Sequence, residues 1–190
     1  MLTNHELVPF FSFFFSFADH STFVSSSLFL VPTAFVSEEE GLFESNSILR
    51  YVARVGEEKH SLYGKSALES SRIDAFLDAN LSFDHQVAHW IYPILGYMPL
   101  NEERRDESIK RVKNILLALN RQLTGKDFLV GDSVTIADIA ITCHLLTGFV
   151  LIFSKEYLAD VPELVRYFRA NIARPQFKAV LGDVVLLADK

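Results

Sequence analysis

The sequence predicts an α+β protein: a short α/β segment over residues 32–60, then an all-helical domain over residues 65–184. Three observations predict it. A complete helix start at Val134-Thr135-Ile136-Ala137-Asp138 opens a run that is apolar nearly all round, the pattern of a helix enclosed by others. Upstream, apolar residues recur at spacings of three and four over two long windows, which is the helical period. Before those windows, two short β-type runs flank a turn closed by glycine and lead into one amphipathic helix.

Composition sets the outer limits. The chain has 190 residues, enough for one large or two small domains. It is 49% hydrophobic and 22% charged, so it can bury a core and is not of disordered type. A net charge of −6 argues against a nucleic-acid footprint, because phosphate binding needs clustered Lys and Arg. The one cysteine, Cys143, excludes an intrachain disulfide and a multi-cysteine metal site. Within an apolar helix it reads as an inert structural thiol.

Residues 1–31 fit neither unit. Nine of the 17 phenylalanines fall within the first 35 residues, and no Lys or Arg precedes Arg50. The run Val8 to Phe17 is apolar, yet the start Met1-Leu2-Thr3-Asn4-His5-Glu6 lacks the basic stretch of a signal peptide. Asp19 and His20 interrupt the run before it reaches the ~20 residues a membrane span requires. The expectation is a Phe/Ser-rich stretch outside the fold, without secretion or membrane insertion.

From Pro32 the pattern becomes regular. Thr33-Ala34-Phe35-Val36 reads as a strand, Ser37 to Gly41 as a turn and Leu42-Phe43 as a second strand, together a hairpin. A helix follows from Ser45 to Val55, with Ile48, Tyr51, Val52 and Val55 on one face and Gly56 as its stop. Ser45 reads as its cap, where first-turn N–H groups and the positive dipole end favour an anion.

The helical domain opens at Ser66-Ala67-Leu68-Glu69, a capping box. The first long helix carries an apolar face of Ile73, Phe76, Leu77, Phe83, Val87, Trp90, Ile91 and Ile94, and Pro93 should kink or end it. His85 and His89 share one face of it, as zinc-binding pairs do. The text His-Gln-Val-Ala-His lacks the glutamate of a zinc-protease motif and a third ligand, so no metal is expected.

Asn101 caps the next helix, whose core stripe is Ile109, Val112, Leu116, Leu119 and Leu123, with a charged outer face from Glu102 to Lys113. Thr124-Gly125 ends it. Thr135 and Asp138 then form the second capping box, with Val134 and Ile139 placed to close as a hydrophobic staple. Pro162 and Pro175 sit at tolerated first-turn positions of two further helices, the last ending at Gly182.

Leu129 to Asp138 resembles the "F-L-V-G-x-x-x-T-x-A-D" segment of glutathione-transferase-like proteins, which opens the central helix of their all-α second domain. The resemblance implies a truncated thioredoxin-like α/β half-domain followed by an all-α helical domain. Val31-Pro32 is similar to the family's "V-P", whose proline is cis and binds the cysteinyl backbone of glutathione. Phe43-Glu44-Ser45-Asn46-Ser47-Ile48 resembles the segment whose Glu/Gln-Ser pair holds the γ-glutamyl end. Pro32, Glu44 and Ser45 are thus the glutathione-binding candidates that the resemblance implies. The plainer alternative makes Ser45 a helix cap and Pro32 a turn residue. The family's thiol-activating Tyr, Ser or Cys has no match before Pro32, so no catalytic residue is assigned.

Two further segments narrow the resemblance. Ile94-Leu95-Gly96-Tyr97-Met98-Pro99-Leu100-Asn101 and Arg174 to Val184 are similar to the transferase-like domain of the gamma subunit of eukaryotic translation elongation factor 1. That resemblance covers about Val31 to Val184. It implies a non-catalytic, cytoplasmic scaffold of the nucleotide-exchange complex in translation elongation, bound to the exchange-factor subunit, with a homodimer expected from the fold. It implies no cofactor, no direct nucleic-acid contact and no membrane contact. The full-length subunit would continue beyond Lys190 through a Lys-rich linker into a second domain. The rival reading is a cytosolic glutathione transferase, with glutathione as substrate. A third is an incomplete product whose open sheet edge and Phe-rich tail aggregate.

Overall fold

The computed structural model describes residues 34–36, 41–55 and 62–190. Residues 1–31, Pro32 and Gly56 lie outside them. The chain divides into two compact units, Met1–His60 and Ser61–Lys190.

In the first unit, β1 (Ala34–Val36) pairs antiparallel with β2 (Gly41–Phe43), in the register Ala34↔Phe43, Phe35↔Leu42 and Val36↔Gly41. This is the hairpin expected from the β-type runs on either side of the turn. α1 (Ser45–Val55) follows directly. On the face that carries its apolar residues, Val52 is 45% and Val55 63% exposed.

The second unit is helical. α2 (Ala67–Leu95) starts at Ser66, whose hydroxyl oxygen accepts the Glu69 N–H at 3.2 Å. Glu69 reaches back one residue further than the box pattern implies and accepts the Lys65 N–H at 2.6 Å. Pro93 does not end the helix, which runs two residues further to Leu95. Gly96 ends the helix instead, in the left-handed conformation (φ 77°) that a β-carbon would strain. Ile94, placed on the apolar face by its spacing, is 62% exposed.

α3 (Glu102–Gln122) starts as expected at Asn101, whose side-chain oxygen accepts the Arg104 N–H at 3.0 Å. Val112, Leu116, Leu119 and Leu123 are buried. α4 (Ile136–Leu151) is enclosed by α2, by α6 (Pro162–Ile172) and by the C-terminal turn Leu187–Asp189. Two elements escaped the sequence reading: the single turn α5 (Lys155–Leu158), capped by Ser154, and the C-terminal 3₁₀ turn. α7 (Pro175–Leu181) stops at Gly182.

Aromatic rings fill the centre. Phe149 stacks on Phe168 at 3.9 Å with planes 5° apart, and Trp90 packs tilted against Phe153 and edge-on against Tyr157. Gly148 is small for a reason: a β-carbon there would lie 2.3 Å from the Phe153 ring. No described helix is long and apolar enough to cross a membrane.

Candidate functional site

The most highly organised polar cluster lies at the start of α4. Asp138 is fully buried and its carboxylate accepts four hydrogen bonds. Oδ2 takes the backbone N–H of Thr135 at 2.8 Å and its hydroxyl at 3.0 Å. Oδ1 takes the Leu129 N–H at 2.9 Å and the Tyr167 hydroxyl at 2.8 Å. A buried charge is costly unless its lone pairs are all used, and here they are. Burial, and then the adjacent Asp138 carboxylate, push the Tyr167 phenol well above its ordinary value, so it remains a donor.

The same helix start holds the segment entering the domain. The Ile136 N–H donates to the Leu62 carbonyl at 2.9 Å, which satisfies a first-turn amide of α4. Lys65 bridges to Asp132 at 2.6 Å, and Tyr63 donates to the Asp74 carboxylate. Thr135 and Asp138 therefore organise a junction of the loop before α4, the entering chain and α6. The four hydrogen bonds to Asp138 tie together the loop before α4, the first turn of α4 and α6, which is an architectural role.

The expected glutathione residues are placed as follows. Pro32 lies outside the described residues. Glu44 has a left-handed backbone (φ 69°), uncommon for a residue with a side chain. Its carbonyl accepts the Ile48 N–H at 3.0 Å, so Glu44 takes the cap position and Ser45 is the first helical residue, one place later than the sequence suggested. The pair stands where first-turn amides and the dipole's positive end converge. No acidic residue occupies that first turn.

His85 and His89 lie on the outer part of α2, and among the described residues no group of three His, Cys, Asp or Glu could hold a metal ion. Cys143 is partly buried on α4, and burial pushes its thiol up to about 12.

Sequence reasoning missed Tyr167 and the Leu129 amide as partners of Asp138, because a capping motif specifies only the three residues that follow it. It also missed Lys113. That ammonium donates to the Tyr157 carbonyl at 2.6 Å, pairs with Asp160 at 3.0 Å and lies 4.9 Å over the Tyr157 ring, docking α5 on α3. A lysine beside a run of hydrophobic core positions was the one available signal.

Comparison with known proteins adds four matches. The family model described as glutathione S-transferase, C-terminal domain, matches residues 84–175. Elongation factor 1-gamma 3 of Oryza sativa subsp. japonica is 40% identical over 146 residues, covering 76% of this chain and 35% of the relative. The solved GST-like domain of elongation factor 1-gamma from Saccharomyces cerevisiae superposes with a TM-score of 0.74 at 25% identity, covering 84% of this chain and 75% of that one. Poplar glutathione transferase F1 has the same fold, with a TM-score of 0.67 at 25% identity and coverage of 78% and 71%. The chain spans about a third of the length of the curated relatives it matches.

Proposed function

We propose, from the premise that this chain carries the glutathione-transferase-like domain of the elongation factor 1-gamma family, that it acts as a non-catalytic interaction module of translation elongation. The observation that carries the reading is the 40% identity over 146 residues to an elongation factor 1-gamma; the solved elongation factor 1-gamma domain and glutathione transferase share 25% each, and the former superposes with the higher TM-score, 0.74 against 0.67. The module would scaffold the cytoplasmic nucleotide-exchange complex and bind its exchange-factor subunit through a protein surface. It would need no cofactor or metal, and would touch neither nucleic acid nor membrane. A homodimer is consistent with the fold.

Size-exclusion chromatography of the full chain with the exchange-factor subunit tests this. A stable joint peak is expected. Two separate monodisperse peaks overturn the reading. Elution of this chain alone in the void volume would favour the incomplete-product reading instead.

A second reading, a glutathione transferase, is favoured by one specific observation: the left-handed Glu44 immediately before α1, with Ser45 at the first helical position. That corner suits a carboxylate such as the γ-glutamyl end of glutathione. Retention on immobilised glutathione, lost in Ser45→Ala, with conjugation of an electrophile well above background, would establish it. No retention would exclude it.

A further inference from the structure

We propose that the corner joining α2 to α3 is a docking surface for a basic amphipathic segment of a partner protein, one that presents apolar residues flanked by Lys or Arg. Ile94, Tyr97 and Leu100 fall within seven consecutive residues and are 62%, 60% and 53% exposed, with Pro99 exposed between the last two. Large apolar side chains exposed singly are ordinary, but a cluster of them marks an interaction site. The corner is also held in place. The Gly96 N–H donates to the Pro93 carbonyl at 3.3 Å, and the Tyr97 N–H to the Tyr92 carbonyl at 2.9 Å. The Tyr97 and Tyr92 rings meet edge to face, with centroids 5.8 Å apart. Asn101 caps α3 on the other side. An ordered loop loses little freedom on binding, and an exposed aromatic ring already in position suits the anchor of an interface.

Charge selects the occupant. No Lys or Arg occurs from Ile73 to Glu103, whereas Glu102 and Glu103 are exposed where α3 begins. The negative end of α2 and the positive end of α3 meet at this corner and offset one another, so the side chains set its sign. Arg105 pairs with Asp106 at 2.8 Å, which leaves Arg104 against the two glutamates. The surface is therefore apolar with an acidic rim. Lys or Arg on a partner complements that rim and steers the approach. Nucleic acid and anionic lipid carry the wrong sign for it. A second copy docked face to face would set Glu102 and Glu103 against their own counterparts. The inference does not rest on the elongation-factor reading, because every residue it uses lies in the helical unit and the partner is defined by its chemistry alone.

The test is fluorescence anisotropy of a labelled leucine–lysine peptide, patterned at the helical period and titrated with the full chain. One saturable site is expected, weakened at least about tenfold in Tyr97→Ser. Glu102→Gln combined with Glu103→Gln should weaken it too and reduce its dependence on salt. Circular dichroism and the thermal midpoint check that each variant folds, and Leu100→Ser is read in place of Tyr97→Ser if that one does not. Absence of saturable binding would overturn the proposal, as would undiminished binding in the folded variant. Equal binding of a leucine–glutamate peptide would overturn it as well, because the rim would then select no charge. So would a homodimer of the chain alone that dissociates in Tyr97→Ser, since a second copy would then be the occupant. The exchange-factor subunit takes no part in these measurements, so their failure leaves the elongation-factor reading standing.

Discussion

The Tyr167 hydroxyl donates to the Asp138 carboxylate at 2.8 Å where both side chains are fully buried, joining α6 to the first turn of α4. Three more donors converge on the same carboxylate, from Leu129 and Thr135. One ionised group thus fixes a loop, a helix start and a second helix. Removing it should cost more than an ordinary cap, for which ~1 kcal/mol is typical. Asp138→Ala leaves four donors without an acceptor and should destabilise the domain by about 3–5 kcal/mol in urea unfolding.

Tyr167→Phe removes one donor and leaves the carboxylate three others, so its cost should be about 1 kcal/mol. The two substitutions share a bond, and their effects should fall short of additivity by about 0.5–3 kcal/mol in a double-mutant cycle. Strict additivity would mean that the bond contributes nothing to stability.

The reach of the sequence is clear from these same residues. Thr135 and Asp138 were legible because a capping box is a local pattern, complete within four positions. Asn101, Pro162, Pro175 and Gly182 were legible for the same reason, and each stands at a helix end. Tyr167 lies 29 residues from Asp138, and nothing in its own neighbourhood announces a buried partner. Ile94, Val52 and Val55 lie on apolar faces and are exposed, because periodicity reports which residues could be buried, not whether a neighbour is there to cover them. Glu44 and Ser45 were singled out through a family resemblance. The left-handed backbone of Glu44 is a conformation the sequence does not reveal, because no glycine marks it.

Among the described glycines, Gly148 leaves the least room for a side chain. A methyl group there meets the Phe153 ring at 2.3 Å, and Phe153 is fully buried against Phe149 and Trp90. Gly148→Ala should therefore destabilise by about 1–3 kcal/mol, although alanine is the better helix former. Combining it with Phe153→Leu should cost less than the sum of the two, measured by thermal or urea unfolding. A stabilised Gly148→Ala protein would show that the ring moves aside freely.

Cys143 should resist modification in the folded protein. With its thiol pushed up to about 12 by burial, the thiolate fraction near neutral pH is negligible. A disulfide-exchange reagent at pH 8 should react slowly with the native chain and release one equivalent promptly in denaturant. Fast native reaction would require the helix around Cys143 to open.

The Lys65–Asp132 bridge sets a pH window for the junction before α4. Hydrogen bonding to Lys65 holds the Asp132 carboxyl below its ordinary value, and the same bond raises Lys65 above its own. A depressed acid contributes stability that is present above its unfolded pKa, about 3.9, and is lost as the pH falls through the lower folded value. A raised base contributes stability that is complete below its unfolded pKa, about 10.4, and is lost as the pH rises through the higher folded value. Between those limits the bridge is intact. Both partners are exposed, so salt screens it and its effect on global stability is small. The readout must accordingly be local. In NMR titrations, the Asp132 carboxyl and Lys65 ammonium signals should move only at the two edges, each displaced outward from its ordinary value. In Asp132→Asn the Lys65 edge should return to normal. An unchanged Lys65 titration in that variant would show that the bridge is not populated in solution.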